Sequence, residues 1–197
     1  MRIYLAGGCF WGVQAYFDLV EGVLDSQVGY ANAHPHALQN HALQSPNQNP
    51  SQTLSYEMVC SGLSGAVEAV EIDFDEGILP LDSVFARFFS IINPTSLNRQ
   101  GNDIGTQYRS GIYALDERIL ARAKEFIASK IAPQIALKAS LRISPLRTPS
   151  LATPLQIATE VLPLANFTPA ESYHQKYLAK NPNGYCHIDI SRALEPL

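Results

Sequence analysis

The sequence predicts an α+β fold, a two-layer sandwich in which helices pack against a mixed β-sheet. Short segments typical of strands and amphipathic segments typical of helices occur in mixed order, without the regular βαβ alternation of a parallel sheet. No internal repeat is visible, and 197 residues fit one domain at roughly 150 residues per domain. We therefore expect a single domain over residues 1–197.

Strands are predicted where apolar residues run together or alternate with polar ones. They lie at residues 2–6, 22–30, 55–60, 66–74, 111–115 and 157–162. The segments 55–60 and 66–74 are expected to pair, because residues 62–65 contain two glycines that favour a turn. We expect these strands to belong to a ferredoxin-like core that is followed by a long irregular C-terminal segment.

Apolar residues at three- and four-residue steps predict helices at 9–20, 80–92 and 116–131. Asp82 is expected to be the N-cap of the second helix, and Pro133 is expected to end the third. Residues 135–155 contain three further prolines, which predict irregular or edge structure.

Residues 32–52 differ in character from the rest of the chain. They contain eight Asn or Gln, three Pro and three His, with few large apolar side chains, and this composition predicts a long loop. The histidines are His34, His36 and His41. They have neither a regular ligand spacing nor a partner cysteine, so we expect no metal site there.

Composition excludes several classes of protein. The net charge is −4 and charged residues make up 16% of the chain, so a nucleic-acid partner is not expected. No apolar stretch approaches the roughly 18 residues of a membrane-spanning helix. The N-terminal apolar run is shorter than the roughly 7 residues of a signal peptide's hydrophobic region, and we expect a cytoplasmic protein. Three cysteines are too few for a disulfide scaffold and leave thiol chemistry open.

Cys9 lies between a glycine turn and the first turn of the predicted helix. Free backbone N–H groups and the helix dipole favour a thiolate at that position, which suits a nucleophile. Phe10 and Trp11 follow at once and could line an apolar pocket beside the sulfur. The alternative is that Cys9 is a small buried residue and that both aromatic residues pack in the core.

The run Gly8-Cys9-Phe10-Trp11-Gly12 resembles the signature of the A-type peptide methionine sulfoxide reductases. Other segments similar to that family follow in the expected order, so the resemblance covers nearly all of residues 3–188. They are YEMVCSGLSG at 56–65, EAV at 68–70, NRQGNDIGTQYRS at 98–110, FTPAESYHQKY at 167–177 and KNPNGYCHI at 180–188.

The resemblance implies reduction of methionine-S-sulfoxide, free or in proteins. It implies that Cys9 attacks the sulfoxide sulfur and that Glu68 protonates the oxygen, which requires burial to raise the pKa of this carboxyl. Tyr56 and Tyr108 correspond to the family's two hydroxyl donors, and Asp103 to a carboxylate that helps to organise the site.

The resemblance also assigns the surroundings of the substrate. Phe10 and Trp11 would hold the methyl group, and Gly8 is included with the substrate-binding residues. Glu171 and His174 would support the site from the layer behind it.

Recycling is likewise implied by the resemblance. Cys9 becomes a sulfenic acid, Cys186 condenses with it to form a disulfide, and thioredoxin or a similar dithiol donor reopens that bond. Cys60, in a predicted strand, is expected to be a buried inert thiol. No cofactor, metal, nucleic acid or membrane is expected to take part, and we expect a monomer.

The chain departs from the family at two places near these residues. It has Gly65-Ala66-Val67-Glu68 where Gly-His-Ala-Glu is common, and Ile92-Asn93-Pro94 where His-Asp-Pro is common. Two alternatives therefore stay open. One is a catalytically weakened member that binds sulfoxides or a partner protein, and the other is a thiol hydrolase that pairs Cys9 with His174.

Overall fold

A mixed β-sheet is the centre of the structure, a computed structural model that describes residues 1–35, 54–141 and 156–196. Six strands of the described residues form this sheet. They are β1 (Arg2–Gly7), β2 (Val23–Ala31), β3 (Val67–Phe74), β6 (Ser110–Ala114), β7 (Glu160–Pro163) and β8 (Phe167–Pro169). Their order across the sheet is β7-β6-β1-β3-β2-β8. All neighbours run antiparallel except β6 and β7, which run parallel. The predicted α+β class with a mixed sheet is confirmed.

The helices and a small hairpin connect these strands. The helices are α1 (Phe10–Phe17), α2 (Tyr56–Cys60), α3 (Leu81–Ile91), α4 (Glu117–Phe126), α5 (Ala132–Leu141) and α6 (Tyr177–Lys180). The hairpin consists of β4 (Arg99–Gln100) and β5 (Asp103–Ile104). Short 3₁₀ helices cover Thr106–Tyr108 and Ile190–Leu194. No helix among the described residues has the length and apolar character needed to cross a membrane.

The strand β1 is buried on both of its faces, which explains its continuous apolar run. Ile3 and Leu5 face the helices and belong to the main core. Tyr4 and Ala6 point to the opposite face, where the Tyr4 ring lies 5.0 Å from the ring of Phe167. Side chains on both faces of the first strand are thus buried, and the strand fixes the position of the glycine turn that follows it.

The predicted pair of strands at 55–60 and 66–74 is wrong in its first member. Residues 56–60 form helix α2, whose N-cap Ser55 accepts a hydrogen bond from the backbone N–H of Met58. The second member is confirmed as β3, but it pairs with β1 and β2. The helix start is held by the Ser55 cap and by a hydrogen bond from the backbone N–H of Tyr56 to Glu171, which is distant in sequence.

The helical predictions also need two corrections. Pro80 precedes α3 as its N-cap, and Asp82 in the first turn instead forms an ion pair with Arg122 of α4. Pro133 does not end the third predicted helix, because a π-helical turn at Ile127–Ile131 leads into α5. Proline lies in the first turn of α5, where its missing N–H is not needed within that helix.

Two predicted irregular regions are only partly described. Residues 135–141 are helical rather than irregular, whereas 142–155 lie outside the described residues. Of the predicted loop at 32–52, residues 36–52, with His36 and His41, also lie outside them. Asn32 adopts a left-handed conformation with φ of 54°, and its side chain binds the backbone of Pro163 and Ala165.

We expect Gly29→Ala to lower the free energy of unfolding by about 1–3 kcal/mol, the usual cost of overpacking. A Cβ at this position of β2 would lie 2.5 Å from the carbonyl oxygen of Thr168 and against the ring of Phe167. Urea denaturation followed by circular dichroism measures the change. Gly77→Ala is the control, because its Cβ would meet only a carboxylate oxygen of Asp75 at 3.2 Å. Equal losses in both variants would contradict the prediction.

Candidate active site

Cys9 lies at the junction of β1 and α1, where it is the N-cap residue of the helix. Its side chain is buried, with 8% of the residue exposed. Gly8 makes the turn possible, since its φ is +88° and a Cβ there would lie 2.6 Å from Cβ of Gln100. The chain therefore turns sharply at a position that only glycine tolerates, and this turn fixes the position of Cys9.

The predicted preference of Cys9 for the thiolate is wrong. Burial raises the pKa of the Cys9 thiol, and Glu68, when ionised, raises it further. The backbone N–H of Trp11 acts in the opposite direction, as expected at a helix N-terminus, but this effect is smaller than desolvation. Cys9 therefore retains its proton in the resting site.

Glu68 on β3 lies directly beneath the first turn of α1. Its Oε2 accepts a hydrogen bond of 3.1 Å from the backbone N–H of Phe10, and the residue is 1% exposed. Burial raises the pKa of Glu68 to about 8, although the Phe10 N–H lowers it. The role as acid implied by the resemblance requires a raised pKa at Glu68, and burial provides it. Glu68 therefore carries a proton at neutral pH.

Two tyrosine hydroxyls lie close to this carboxyl. Burial, followed by the charge of Glu68, raises the pKa of Tyr108 to about 12, and the neighbouring Tyr56 hydroxyl acts in the opposite direction. Burial, followed by the nearby thiol of Cys60, raises the pKa of Tyr56. Both phenols remain protonated at neutral pH and are available as hydrogen-bond donors.

An aromatic cluster closes one side of the site. The ring of Phe10 lies 6.0 Å from that of Tyr30 and 5.1 Å from that of His174. The indole of Trp11 stacks on Tyr177 at 3.7 Å and donates from Nε1 to Nδ1 of His174 at 3.1 Å. These contacts hold both rings of the Phe-Trp pair in place beside Cys9. Sequence reasoning missed Tyr30 and Tyr177, although the latter lies in the FTPAESYHQKY segment.

His174 does not form the proposed pair with Cys9. Its Nδ1 accepts from Trp11, and its Nε2 has no hydrogen-bond partner among the described residues. Burial lowers the pKa of His174. A thiol hydrolase needs this imidazole bound to the nucleophile, so the structure does not support that alternative.

Glu171 joins three segments behind the site. Its Oε2 accepts a hydrogen bond of 2.7 Å from the hydroxyl of Tyr30, and its Oε1 accepts one of 2.8 Å from the backbone N–H of Tyr56. It thereby fixes the start of α2, from which the Tyr56 side chain projects. Glu171 therefore joins β2 to the start of α2 behind the site.

Cys186 lies half-buried beside α1. Its Sγ donates to the carbonyl of Ile188 at 3.1 Å. A Cβ on Gly12, three residues after Cys9, would lie 3.0 Å from the same Sγ. Cys9 and Cys186 therefore approach the same part of α1 from sequence positions 9 and 186, and neither is in a disulfide.

Asp103 lies close to the site, whereas Cys60 lies in surroundings other than those expected. Asp103 contacts residues beside Cys186, because its Oδ2 accepts from the hydroxyl of Tyr185 at 3.3 Å and lies 3.2 Å from Nδ1 of His187. Its charge still raises the pKa values of Cys9 and Glu68. The expectation for Cys60 was wrong, since it is exposed and ends α2.

The whole length of the chain matches a known protein family. The family model described as peptide methionine sulfoxide reductase matches residues 1–197. The chain belongs to the peptide methionine sulfoxide reductase family.

Individual relatives of this family are similar over nearly the whole chain. The peptide methionine sulfoxide reductase MsrA of Clostridium botulinum strain Hall is 46% identical over 189 residues, 96% of this chain and 98% of the relative. That of Mycoplasma pneumoniae is 42% identical, covering 95% and 97%. Reduced Mxr1 from Saccharomyces cerevisiae has a TM-score of 0.73 at 31% identity, covering 94% and 88%. Methionine sulfoxide reductase A of Corynebacterium diphtheriae has a TM-score of 0.72 at 31% identity, covering 94% and 77%.

Arg109 supports this reductase site and was missed in the sequence analysis, although it lies in the NRQGNDIGTQYRS segment. Its side chain joins the turn before Glu68 to the 3₁₀ helix that ends at Tyr108. The guanidinium donates to the carbonyls of Gly65 at 3.0 Å, Ala66 at 3.4 Å and Thr106 at 3.0 Å, and to Oε2 of Glu160 at 3.1 Å. This set of bonds fixes the relative positions of the carboxyl and one phenol.

The two departures from the family pattern lie in the walls around the site. Ala66 is buried, with 1% exposed, and the imidazole of His34 lies against the neighbouring Gly65. Asn93 exchanges two hydrogen bonds with the side chain of Gln100, which lies against Gly8. Both segments therefore support the site even though their residues differ from the common ones.

We expect Glu68→Gln to remove a pH dependence of stability. A carboxyl whose pKa rises from 4.5 to about 8 on folding binds a proton more tightly in the native state. Its stabilising contribution is fully present below pH 4.5 and is lost as the pH rises through about 8. The urea midpoint of the wild type should therefore fall between pH 5 and pH 8 by more than that of Glu68→Gln.

Glu71→Gln is the matched control, because Glu71 lies on the opposite face of the same strand and pairs with Arg2. It should keep the pH dependence of the wild type. If Glu68→Gln also keeps it, Glu68 is not protonated in the native protein.

Proposed function

We propose that this chain reduces methionine-S-sulfoxide, free or in proteins, to methionine, with Cys9 as nucleophile and Glu68 as acid. The supporting observation is that the residue next to Cys9 donates its backbone N–H to Glu68 at 3.1 Å, in a site where burial keeps that carboxyl protonated. Sulfoxide reduction needs a nucleophile for sulfur and a proton for oxygen, and this bond holds both groups at one place.

The first step oxidises Cys9 and reduces the substrate. The Cys9 sulfur attacks the sulfoxide sulfur while Glu68 gives a proton to the sulfoxide oxygen. Transfer of the oxygen to Cys9 then breaks the bond between the substrate's sulfur and oxygen. Methionine leaves, Cys9 becomes a sulfenic acid, and the original thiol proton restores Glu68. Overall, one thiol and one sulfoxide yield one sulfenic acid and one thioether.

The remaining residues bind the substrate. A methyl sulfoxide has one apolar group and one strong hydrogen-bond acceptor, so its pocket needs an apolar wall opposite hydroxyl donors. Phe10 and Trp11 supply the wall, and Gly8 keeps the turn beside it narrow. Tyr56 and Tyr108 supply the donors, both protonated at neutral pH.

Cys186 completes the cycle in this proposal. Its thiol attacks the sulfenic sulfur of Cys9, a disulfide forms and water leaves. A dithiol donor of the thioredoxin type then reduces the disulfide by exchange. The three free thiols of the chain suit a reducing compartment such as the cytoplasm. We also propose that the protein acts as a monomer.

We also propose a finer assignment of the fold, a single domain with a ferredoxin-like two-layer core. The order β6-β1-β3-β2, with α1 between β1 and β2 and α3 between β3 and β6, supports it. The long C-terminal part, which contains only short helices over residues 170–196, wraps around the start of α1 and supplies Cys186.

The central test is the release of methionine from each purified epimer of methionine sulfoxide, with dithiothreitol as the reductant. We expect release from the S epimer only, and its loss in Cys9→Ser, because the alcohol is a far weaker nucleophile. Cys60→Ser is the matched control and should retain turnover. If the folded, reduced wild type releases no methionine yet binds the sulfoxide, the chain is a binding module and the proposal fails.

The recycling assignment predicts a different result with each reductant. Cys186→Ser should release about one methionine per enzyme with thioredoxin, because no disulfide forms for thioredoxin to reduce. With dithiothreitol, which reduces the sulfenic acid directly, it should continue to turn over. Continued turnover of Cys186→Ser with thioredoxin would contradict the role of Cys186.

A further inference from the structure

The two neighbours of Cys186 contact the same oxygen of one carboxylate. The hydroxyl of Tyr185 donates to Oδ2 of Asp103 at 3.3 Å, and Nδ1 of His187 lies 3.2 Å from that oxygen. The thiol of Cys186 itself points elsewhere, to the carbonyl of Ile188 and to Gly12. The residues before and after the thiol are thus held by the hairpin that carries Asp103.

Cys186 and His187 pack against three glycines, whose missing side chains leave room for them. A Cβ on Gly8 would lie 3.0 Å from Cε1 of His187, and a Cβ on Gly101 would lie 3.2 Å from Cβ of His187. A Cβ on Gly12 would lie 3.0 Å from Sγ of Cys186. In the GCFWG run, the missing side chain of Gly8 therefore leaves room for His187, and that of Gly12 leaves room for Cys186. We call this the glycine groove, formed by Gly8, Gly12 and Gly101.

His187 is the more buried of the two neighbours. Its side chain is 10% exposed, whereas Tyr185 is 46% exposed. The ring nitrogens of His187 have no hydrogen bond of good geometry among the described residues. Nδ1 nevertheless lies 3.2 Å from Oδ2 of Asp103, and the ring lies near the backbone of Gly7. Burying a polar ring without full hydrogen bonding costs stability, and an apolar side chain would fill the same space at lower cost. The imidazole therefore does more than fill this space.

We propose that His187 is a positioning residue for the recycling step, which holds Cys186 in the glycine groove so that its thiol reaches the sulfenic acid on Cys9. This inference rests on the proposed function. In the step, a bond forms between the two sulfurs and the bond from the Cys9 sulfur to oxygen breaks. The oxygen leaves as water with the proton of the Cys186 thiol. The contact with Asp103 fixes the ring, and the ring fixes the neighbouring thiol.

A single-turnover experiment without reductant separates the two chemical steps. Reduced enzyme is mixed with one equivalent of methionine-S-sulfoxide and quenched at intervals. Methionine is measured by chromatography, the sulfenic acid by trapping with dimedone and mass spectrometry, and the disulfide by peptide mapping. In the wild type we expect one methionine per enzyme and conversion of the sulfenic acid to the Cys9–Cys186 disulfide.

His187→Ala should slow disulfide formation by about 10- to 100-fold, the cost expected for a misplacement of the thiol of about 1 Å. Trapped sulfenic acid should accumulate, while the rate of methionine formation changes much less. His187→Asn keeps an N–H donor near Asp103 and should recover much of the lost rate. Tyr185→Phe, which removes the more exposed contact, should have a smaller effect than His187→Ala. Urea midpoints verify that each variant is folded.

Three outcomes would overturn the inference. They are disulfide formation by His187→Ala at the wild-type rate, an equal slowing of both steps, and the absence of any recovery in His187→Asn. Failure of the proposed function is distinct from these, because the wild type itself would then form no methionine or no Cys9–Cys186 disulfide.

Discussion

The hydrogen bond between the backbone N–H of Phe10 and Glu68 is the interaction on which the rest of the site depends. It joins the first turn of α1 to β3, two elements whose relative position sets the distance between the nucleophile and the acid. It also satisfies one of the N–H groups that a helix leaves unpaired at its start. Because the carboxyl is buried to 1% exposure, the same contact places Glu68 where water cannot stabilise its charge.

Burial has opposite consequences for reactivity at the two groups. It raises the pKa of Glu68 to about 8, which keeps an acid available at neutral pH. It also raises the pKa of Cys9, so the thiol is not ionised in advance. Ionisation of Glu68 would raise the pKa of Cys9 further, so a charged carboxyl disfavours the thiolate. Such a site holds its reactive proton until a substrate with a strong acceptor oxygen enters.

Side chains around the site hold together segments that are far apart in the sequence. Glu171 fixes the start of α2 through Tyr56, and Arg109 joins the turn before Glu68 to the segment that carries Tyr108. The C-terminal part brings His174 to Trp11 and Cys186 to Gly12. Apart from the bond between Arg109 and Thr106, each of these contacts spans a large separation in sequence. Together they enclose a site that no single segment could form.

The sequence by itself determined the strands β1 and β3, the helices α1, α3 and α4, and the family to which the chain belongs. These depend on periodicity and on short motifs, which are local properties of the chain. Only the tertiary structure decided that residues 56–60 are helical, that Pro133 follows a π-helical turn, and that Asp103 contacts the neighbours of Cys186. It also decided that Cys9 keeps its proton, because the helix N-terminus is visible in the sequence whereas desolvation by distant segments is not. The protonation of a buried group depends on everything packed around it, and that packing exists only once the chain has folded.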